Sequence, residues 1–367
     1  MPHPPGEASP LNLLIRDPVN VKIFYGVQAT GNGHITRARA MAPKLQAAGI
    51  AVDYLFSGRP WKDLFEMDLF GDYQWRRGLT FATRAGHVQY LKTAMETHAA
   101  SFLRDIRALD LSGYDAVICD FEPVTAWAAR LQGVKTIGIG HQYAFNYDIP
   151  KACRDFLGEQ VLRHFAPVSV GLGVHWHHFH QPILPPIIET EPEGIPQQPD
   201  KIVVYLPFED VHEVIHLLKR FHHRQFYVYS PTMPDRPQER CDHIHLRQLS
   251  RAGFRHDFAD AAGVICNSGF ELSSEALLTG KKLLVKPLHG QMEQGSNALT
   301  LELLQLGQVM NNLDAAAIET WLETGHPVQV RFPDVAQEVV DWLLRGDFRI
   351  DNQWIDGIWA KTVRTSA

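Results

Sequence analysis

Residues 261–306 contain the side chains of this sequence whose types and spacing could do chemistry. An apolar run that ends at Cys266 precedes a polar turn, and helical periodicity begins at Phe270. The free N–H groups and the dipole of a first helical turn bind anions. We therefore expect Ser268, Gly269 and Phe270 to hold a phosphate or pyrophosphate.

Three further side chains follow this turn at spacings that suit the ribose and the sugar of a nucleotide-sugar. Glu275 is predicted about one and a half turns into the helix, where its carboxylate could accept two hydrogen bonds from a ribose diol. After a second predicted strand, the predicted loop 289–296 carries Glu293 and Gln294, an acid and an amide that suit sugar hydroxyls. An ordinary α/β scaffold would also contain a strand, a turn and a helix, but folding does not require the Glu-Gln pair.

A second glycine turn lies near the start of the chain. The apolar run 21–27 predicts a central parallel strand, and it is followed by a turn containing Thr30, Gly31, Gly33 and His34 and then by a helix. The third glycine of a dinucleotide fingerprint is missing, which disfavours a nicotinamide site. Imidazole is well suited to take a proton from a hydroxyl near neutral pH, so His34 is a candidate base. Its alternative role is that of a helix-start residue that only positions the backbone.

Polar side chains also follow two more predicted strands. The strand 115–120 ends in Asp120 and is followed by Glu122, and the strand 136–140 is followed by His141 and Gln142. In open α/β sheets the ligand crevice lies beyond the carboxyl ends of the strands. All four side chains are therefore candidates for a cleft.

Composition limits the class of the protein. The 367 residues carry a net charge of −6 with 45% hydrophobic residues, which suits a globular chain of two domains and gives no electrostatic footprint for nucleic acid. Four scattered cysteines predict reduced thiols and a cytoplasmic protein. We find neither a signal-peptide core nor an apolar run near the ~18 residues of a spanning helix. Interleaved aromatic and basic residues over 59–107 fit either a covered core segment or a lip for peripheral membrane contact.

We predict five segments along the chain. They are a flexible tail at 1–20, an N-terminal Rossmann-like acceptor-side domain at 21–182, a proline-rich linker at 183–200, a C-terminal Rossmann-like donor domain at 201–345 and a tail at 346–367 that packs back on the first domain. The histidine-rich run 175–180 before the linker invites a metal interpretation. Two histidines on one strand face are too few ligands, so a structural or cleft role is favoured.

Two motifs resemble those of GT-B glycosyltransferases. One is Glu275 with Glu293-Gln294-x-x-Asn297-Ala298, and the other is the signature Tyr25-Gly26-Val27-x-x-Thr30-Gly31-x-Gly33-His34. The resemblance is to the family related to the peptidoglycan N-acetylglucosaminyltransferase, in the branch that carries the second signature, and it spans about residues 21–344. It implies an α/β fold of GT-B type, in which two Rossmann-like parallel-sheet domains face each other across a cleft.

The resemblance also implies roles for individual residues. His34 would lie near the anomeric carbon of the donor as the base, and Asp120 would orient its imidazole, with Glu122 as the rival for that role. Asn297 belongs to the donor motif, and Phe254, in a turn before a helix predicted at 257–261, would pack on the nucleotide base.

Arg37 lies one helical turn after His34 and would face either a phosphate or solvent. No Asp-x-Asp motif for a divalent metal occurs in the sequence, so the helix N-terminus would stabilise the leaving diphosphate, and neither a metal nor another cofactor is expected.

The sequence therefore predicts metal-independent transfer of a sugar from a nucleotide-sugar, preferably UDP-linked, to a hydroxyl of a glycan, lipid-linked or small-molecule acceptor. Two alternatives stay open. One is a nucleotide-sugar hydrolase or epimerase of the same fold, and the other is a non-catalytic module that binds nucleotide-sugars or glycans.

Overall fold

The computed structural model of the protein describes residues 21–79, 83–84, 87–88, 99–152, 156–189, 195–232 and 241–366. Two six-stranded parallel sheets, one in each half of the chain, form its framework. Their central strands are apolar and buried almost throughout, as expected of parallel strands that helices cover on both faces.

Among its described residues, the first half contains eight strands and five helices. The strands are β1 (Lys22–Gln28), β2 (Ala51–Ser57), β3 (Gln74–Arg76), β4 (Thr83–Arg84), β5 (His87–Val88), β6 (Ala116–Asp120), β7 (Thr136–Gly140) and β8 (Val170–Gly173). The helices are α1 (Asn32–Ala47), α2 (Ala99–Ala108), α3 (Pro123–Gln132), α4 (His141–Ala144) and α5 (Phe156–Phe165), with short 3-10 turns at Trp61–Asp63 and Asp68–Phe70. The sheet order is β3-β2-β1-β6-β7-β8, and β4 and β5 form a separate antiparallel pair.

The second half repeats this plan. Its strands are β9 (Gln198–Tyr205), β10 (Gln225–Ser230), β11 (Ile244–Gln248), β12 (Ala261–Asn267), β13 (Lys282–Lys286), β14 (Gln308–Val309), β15 (Val328–Arg331) and β16 (Val363–Ser366). Its helices are α6 (Val211–Leu218), α7 (Arg251–Ala259), α8 (Phe270–Leu278), α9 (Met292–Leu303), α10 (Ala315–Thr324), α11 (Val335–Arg345) and α12 (Asn352–Trp359). The sheet order is β11-β10-β9-β12-β13-β14, and β15 and β16 pair antiparallel outside it.

Strand order reverses beside the first strand of each sheet. The chain runs from β1 outward through β2 and β3 and then returns to β6 on the other side of β1, and β9 has the same relation to β10, β11 and β12. A parallel sheet opens a ligand crevice at such a point, beyond the carboxyl ends of its strands. Val27 near the end of β1 pairs with Asp120 at the end of β6, so the turn after β1 and the acid that ends β6 reach the same edge.

The two halves share apolar packing. One hydrophobic cluster runs from Leu45 of α1 through Val339 of α11 to Val264 of β12. In the last helix, the indole Nε1 of Trp359 donates to the carbonyl of Ile183 at 2.7 Å, and its ring lies 5.4 Å from that of His178. The end of the chain is thus packed against the segment that leads from one half to the other.

Two predicted element boundaries are wrong. Glu293 and Gln294 lie in the first turn of α9 and not in a loop, because the helix begins five residues earlier than predicted, with an acid at its N-terminal end that suits the helix dipole. Phe254 lies inside α7 and not in a turn, because Ser250 caps that helix by accepting from the N–H of Gly253. Among the described residues, no helix has the length and apolar character required to cross a membrane.

Candidate active site

His34 and Asp120 form a pair at the edge of the first sheet. The Nδ1 of His34 lies 2.7 Å from Oδ1 of Asp120, and the ring of His34 is 14% exposed while Asp120 is fully buried. Burial raises the pKa of Asp120, but Arg37 and His34 outweigh that effect and hold the pKa below its ordinary value. An ionised carboxylate therefore faces Nδ1 of His34, Nη2 of Arg37 lies 3.1 Å from the same nitrogen, and Nε2 is the ring nitrogen that neither side chain contacts.

Arg37 lies behind this pair and is buried. Its Nε and Nη2 donate to the two oxygens of Asp120, each at 2.7 Å, in the bidentate geometry that guanidinium and carboxylate favour. Its Nη1 donates to Oε1 of Glu271, in the first turn of α8. Arg37 therefore faces neither solvent nor an open phosphate site here, and it connects the first half of the chain with the second.

Glu271 was not predicted from the sequence. Its burial raises the pKa to about 7, although Arg37 opposes the shift, while Asp120 and Glu293 add to it. A Cβ at Gly33 would lie 2.8 Å from Cγ of Glu271, so the start of α1 approaches the start of α8 as closely as a glycine allows. An acid in a first helical turn is common for reasons of the helix dipole alone, and for that reason the sequence does not single it out.

Glu122 has a different environment from Asp120. Its carboxylate accepts from the N–H groups of Val124 and Thr125, which caps α3, and from the hydroxyl of Ser57 at 2.5 Å. Phe121 between the two acids has a left-handed backbone with φ of 52°. Of the two predicted partners, Asp120 is the one hydrogen-bonded to His34, and Glu122 serves as a helix cap.

The turn after β12 is held by side chains from α9. Ser268 donates its hydroxyl to the carbonyl of Gln294 at 2.8 Å, and Nδ2 of Asn297 donates to the carbonyl of Ser268 at 3.0 Å. The side-chain oxygen of Gln294 accepts from the N–H of Leu288. These contacts assign the Gln294 carbonyl and the Asn297 amide to holding the turn.

The start of α8 is open on one side. The N–H groups of Ser268 and Gly269 bond to the carbonyls of Lys286 and Asn267, so the unbonded donors begin with the first turn at Phe270. A Cβ at Gly269 would meet nothing within 4 Å. An anion would therefore find space and donors at this helix end.

His141 and Gln142 reach across to the second half. The ring nitrogens of His141 lie 2.9 Å from the carbonyl of Val174 and 2.6 Å from Oδ1 of Asn297, and the ring stacks on Phe270 at 4.1 Å. Burial lowers the pKa of His141. Gln142 donates its Nε2 to Oε1 of Glu293 at 3.0 Å. His141 is thus a buried bridge between the halves, while Gln142 and Glu293 pair in the cleft.

The remaining predicted site residues are Thr30, Gly31, Glu275 and Phe254. Thr30 accepts from the amide of Gln28 at 2.7 Å, and a Cβ at Gly31 would meet open space. Glu275 is half-buried on α8. Phe254 packs edge-on against the ring of Tyr205, 5.7 Å away, at the end of β9.

The histidine-rich run 175–180 forms an aromatic cluster. His175 is buried and accepts from the N–H of Trp176, whose indole donates to Ser274 of α8 at 2.8 Å. Within the part of the chain that the structure describes, no group of three or more histidine, cysteine, aspartate or glutamate side chains is placed to hold a metal ion.

Comparison with known proteins identifies the family. The protein-family model described as glycosyl transferase family 1 matches residues 21–324 of this sequence. The chain belongs to this family. No curated protein sequence matches it significantly. As a family 1 member it is a glycosyltransferase, and its two facing parallel sheets are those of the GT-B fold.

Solved structures agree on this fold. The glycotransferase of kitacinnamycin is 13% identical with a TM-score of 0.56, over 90% of this chain and 95% of that one. A UDP-glucosyltransferase from Polygonum tinctorium is 14% identical with a TM-score of 0.55, over 93% and 94%. The spinosyn rhamnosyltransferase complexed with thymidine diphosphate is 12% identical with a TM-score of 0.50, over 93% and 96%. At these identities the likeness to these glycosyltransferases is one of fold.

Proposed function

We propose that this glycosyltransferase transfers a sugar from a nucleotide-sugar to a hydroxyl, with His34 as the base and no metal ion. The observation that carries the proposal is the position of the His34–Asp120 pair beside the open start of α8. Gly33, the neighbour of His34, touches Glu271 in the first turn of that helix. A base and an anion site in such proximity suit attack at the carbon that bears the diphosphate.

The chemical step follows from these positions. The acceptor oxygen forms a bond to the anomeric carbon as the bond from that carbon to the diphosphate oxygen breaks. The hydroxyl proton passes to Nε2 of His34, and Asp120 stabilises the imidazolium that results. The nucleoside diphosphate leaves with its charge facing the first-turn N–H groups of α8.

The donor side is assigned by chemistry. Glu275 would hold the ribose, Glu293 and Gln294 the sugar, and Phe254 and Tyr205 the base. We propose a UDP-sugar as the donor, since the similar enzyme from Polygonum tinctorium is a UDP-glucosyltransferase, with thymidine diphosphate sugars as the rival. We also assign the chain to the signature-bearing branch related to the peptidoglycan N-acetylglucosaminyltransferase family. The reduced, buried thiols of Cys119 and Cys266 suit a cytoplasmic enzyme, with membrane contact at most peripheral.

Thermal denaturation with nucleotides and their sugars, in the presence of a chelator, tests the proposal. Ligand at about a hundred times its dissociation constant adds roughly 2.7 kcal/mol to the free energy of unfolding. The variant Glu275→Ala should weaken nucleotide binding by about 1.5 to 3 kcal/mol, the scale of hydrogen bonds to a charged group.

A stabilisation by one nucleotide family that Glu275→Ala abolishes would support the donor assignment. Unchanged affinity in this variant would remove the ribose role of Glu275. If no nucleotide stabilises the protein, the nucleotide-sugar proposal fails. Free sugar or a changed sugar, formed without any added acceptor, would favour a hydrolase or an epimerase instead.

A further inference from the structure

A cavity of about 140 Å³ opens beside the candidate site, on the side of the first half of the chain. It lies between the segment after α4, helix α5 and the first turn of α9. Phe145 and Met292, both buried, form its apolar wall. The ring of Phe145 lies 5.1 Å from that of His141, and Met292 directly precedes Glu293. The cavity therefore shares its wall with the residues that bridge the cleft.

The polar lining of this cavity is cationic. Lys151 and Arg163 both face it, together with the amides of Asn146 and Gln160. Neither cation has an ion pair or hydrogen bond with another described residue. The described lining contains no acidic side chain. Since the whole chain carries a net charge of −6, two cations that have no acidic partner among the described residues are a local feature of this opening and not a reflection of the overall charge.

The segment that carries Lys151 is fixed to the second half of the chain. The N–H of Ala152, the next residue, donates to Oγ of Ser296 on α9 at 3.2 Å. Lys151 is accordingly attached close to the helix whose first turn presents Glu293. A lining that combines two cations, two amide side chains and an apolar wall suits a small acidic group on an apolar stem.

We propose that this cavity binds a carboxylate or phosphate group of the acceptor, so that the enzyme glycosylates an acidic acceptor. The inference rests on the proposed function, because it takes the cavity as the acceptor side of the transfer site. The acidic group can belong to a soluble molecule or to a lipid headgroup. The shared chemistry is an anion next to an apolar segment, held by Lys151 and Arg163.

The test uses the full-length protein saturated with UDP, so that the start of α8 is already occupied. Phenyl phosphate and benzoate serve as soluble probes, and benzyl alcohol serves as the uncharged probe. Vesicles of phosphatidylglycerol, with phosphatidylcholine vesicles for comparison, represent the lipid source. Thermal denaturation reports the soluble probes, and co-sedimentation reports the vesicles.

The variant Lys151→Gln with Arg163→Gln removes both charges and keeps a polar side chain at each position. The matched control, Arg104→Gln with Lys135→Gln, removes two exposed charges of the same half that do not line the cavity. We expect the dissociation constant of phenyl phosphate to rise about tenfold or more in the cavity variant, the scale of lost charge-assisted hydrogen bonds, and to stay unchanged in the control. Binding of UDP should be equal in all three proteins.

The outcomes distinguish a soluble acceptor from a lipid headgroup, and they distinguish failure of the anion site from failure of the nucleotide-sugar proposal. If the soluble probes bind and phosphatidylglycerol vesicles do not, the acceptor is a soluble acidic molecule. If the vesicles bind and this binding requires Lys151 and Arg163, the acidic group belongs to a lipid headgroup. If no probe or vesicle distinguishes the cavity variant from the control, the proposal is overturned. If UDP fails to bind while the probes still distinguish the two variants, the nucleotide-sugar proposal fails and the anion site stands.

Discussion

Asp120 is the residue through which the candidate base is connected to the rest of the site. Both of its oxygens accept from Arg37, and one of them also faces Nδ1 of His34. An ionised carboxylate with three such contacts fixes the orientation of the imidazole. The position of the His34 ring is therefore set by Asp120, which is itself buried.

Replacement of His34 tests its role as base. The change His34→Ala should lower turnover by about 10² to 10⁴, the usual contribution of general base catalysis, and leave donor binding close to normal. Release of nucleoside diphosphate measures turnover, and thermal denaturation with the donor measures binding. His223→Ala, which removes an exposed histidine of the second half, is the control. Turnover within a few fold of the wild type would exclude His34 as the base.

Glu271 predicts a specific pH dependence of stability. Burial raises its pKa from 4.5 to about 7 in the folded protein, against the opposing charge of Arg37 and with added repulsion from Asp120 and Glu293. Between these pH values the folded state holds a proton that the unfolded chain releases, so the free energy of unfolding falls as pH rises through this window. Below pH 4.5 the residue is protonated in both states and contributes nothing to the slope.

The variant Glu271→Gln keeps the shape of the protonated acid and cannot titrate. Relative to the wild type, its free energy of unfolding should rise by about 1 to 3 kcal/mol between pH 4.5 and 8. Urea denaturation at several pH values measures the difference. Asp120, which shares Arg37, has a lowered pKa and titrates below this window. Parallel pH profiles for the two proteins would show that Glu271 is ionised throughout.

At the level of residues, the sequence predicts the side chains and not all of their partners. His34 and Asp120 follow from strand ends, and the structure brings them to 2.7 Å. Glu271 was missed because its neighbours, Arg37 and Gly33, are more than two hundred residues away in the chain, and nothing local distinguishes it from a first-turn acid. Asp120 and Glu122 look equivalent in sequence until the backbone at Phe121 is known.

At the level of elements, the starts of α1 and α8 lie in contact, and a glycine makes this contact possible. The variant Gly33→Ala would place a Cβ 2.8 Å from Cγ of Glu271, whose carboxylate Arg37 holds in place. We expect a loss of about 1 to 3 kcal/mol in the free energy of unfolding, as for overpacked interiors. Chemical denaturation measures the change.

Gly31 provides the control for that experiment. It precedes the same helix, and a Cβ there would meet nothing within 4 Å. The change Gly31→Ala should therefore cost less than about 1 kcal/mol, the scale of a helix-cap preference. Equal effects of the two substitutions would mean that the contact with Glu271 does not limit the approach of the helices.

The sequence predicts which segments are helices and which are strands better than it predicts the residue at which each one begins. Periodicity and turn residues located the strand 136–140 at its observed bounds and placed helix α8 after the turn at Ser268 and Gly269. The start of α9 was missed because Gly290, Gln291 and Gly295 resemble loop residues, and tertiary contacts such as that from Ser268 to the carbonyl of Gln294 decide the outcome.

At the level of the whole molecule, the halves are joined by polar and aromatic contacts as well as by a shared core. His141 stacks on Phe270 and faces Asn297, Arg37 reaches Glu271, and Trp359 donates to Ile183. Apolar packing also continues from α1 through α11 to β12, so the two halves share this cluster in addition to the clusters that lie within each half. We expect the halves to unfold together.

Calorimetry measures this coupling. The wild type should show one transition in which the calorimetric enthalpy of unfolding equals the van't Hoff enthalpy, the signature of a two-state change. Two resolved transitions would show that the halves are independent. His141→Ala, which removes the stacked bridge, should lower the transition temperature, whereas His223→Ala, at an exposed histidine, should leave it unchanged. The two-sheet plan itself was expected from the resemblance to GT-B glycosyltransferases, but these contacts between the halves were not.

The left-handed backbone at Phe121 has a consequence for transplanting the site. In an uninterrupted strand, residues two apart point to the same face, so Asp120 and Glu122 would compete for the same partners. Because the backbone at Phe121 is left-handed, Asp120 contacts His34 and Arg37 while Glu122 caps α3. An engineer who copied only the histidine, the arginine and the aspartate onto another parallel sheet would therefore omit the backbone geometry that keeps the two carboxylates apart.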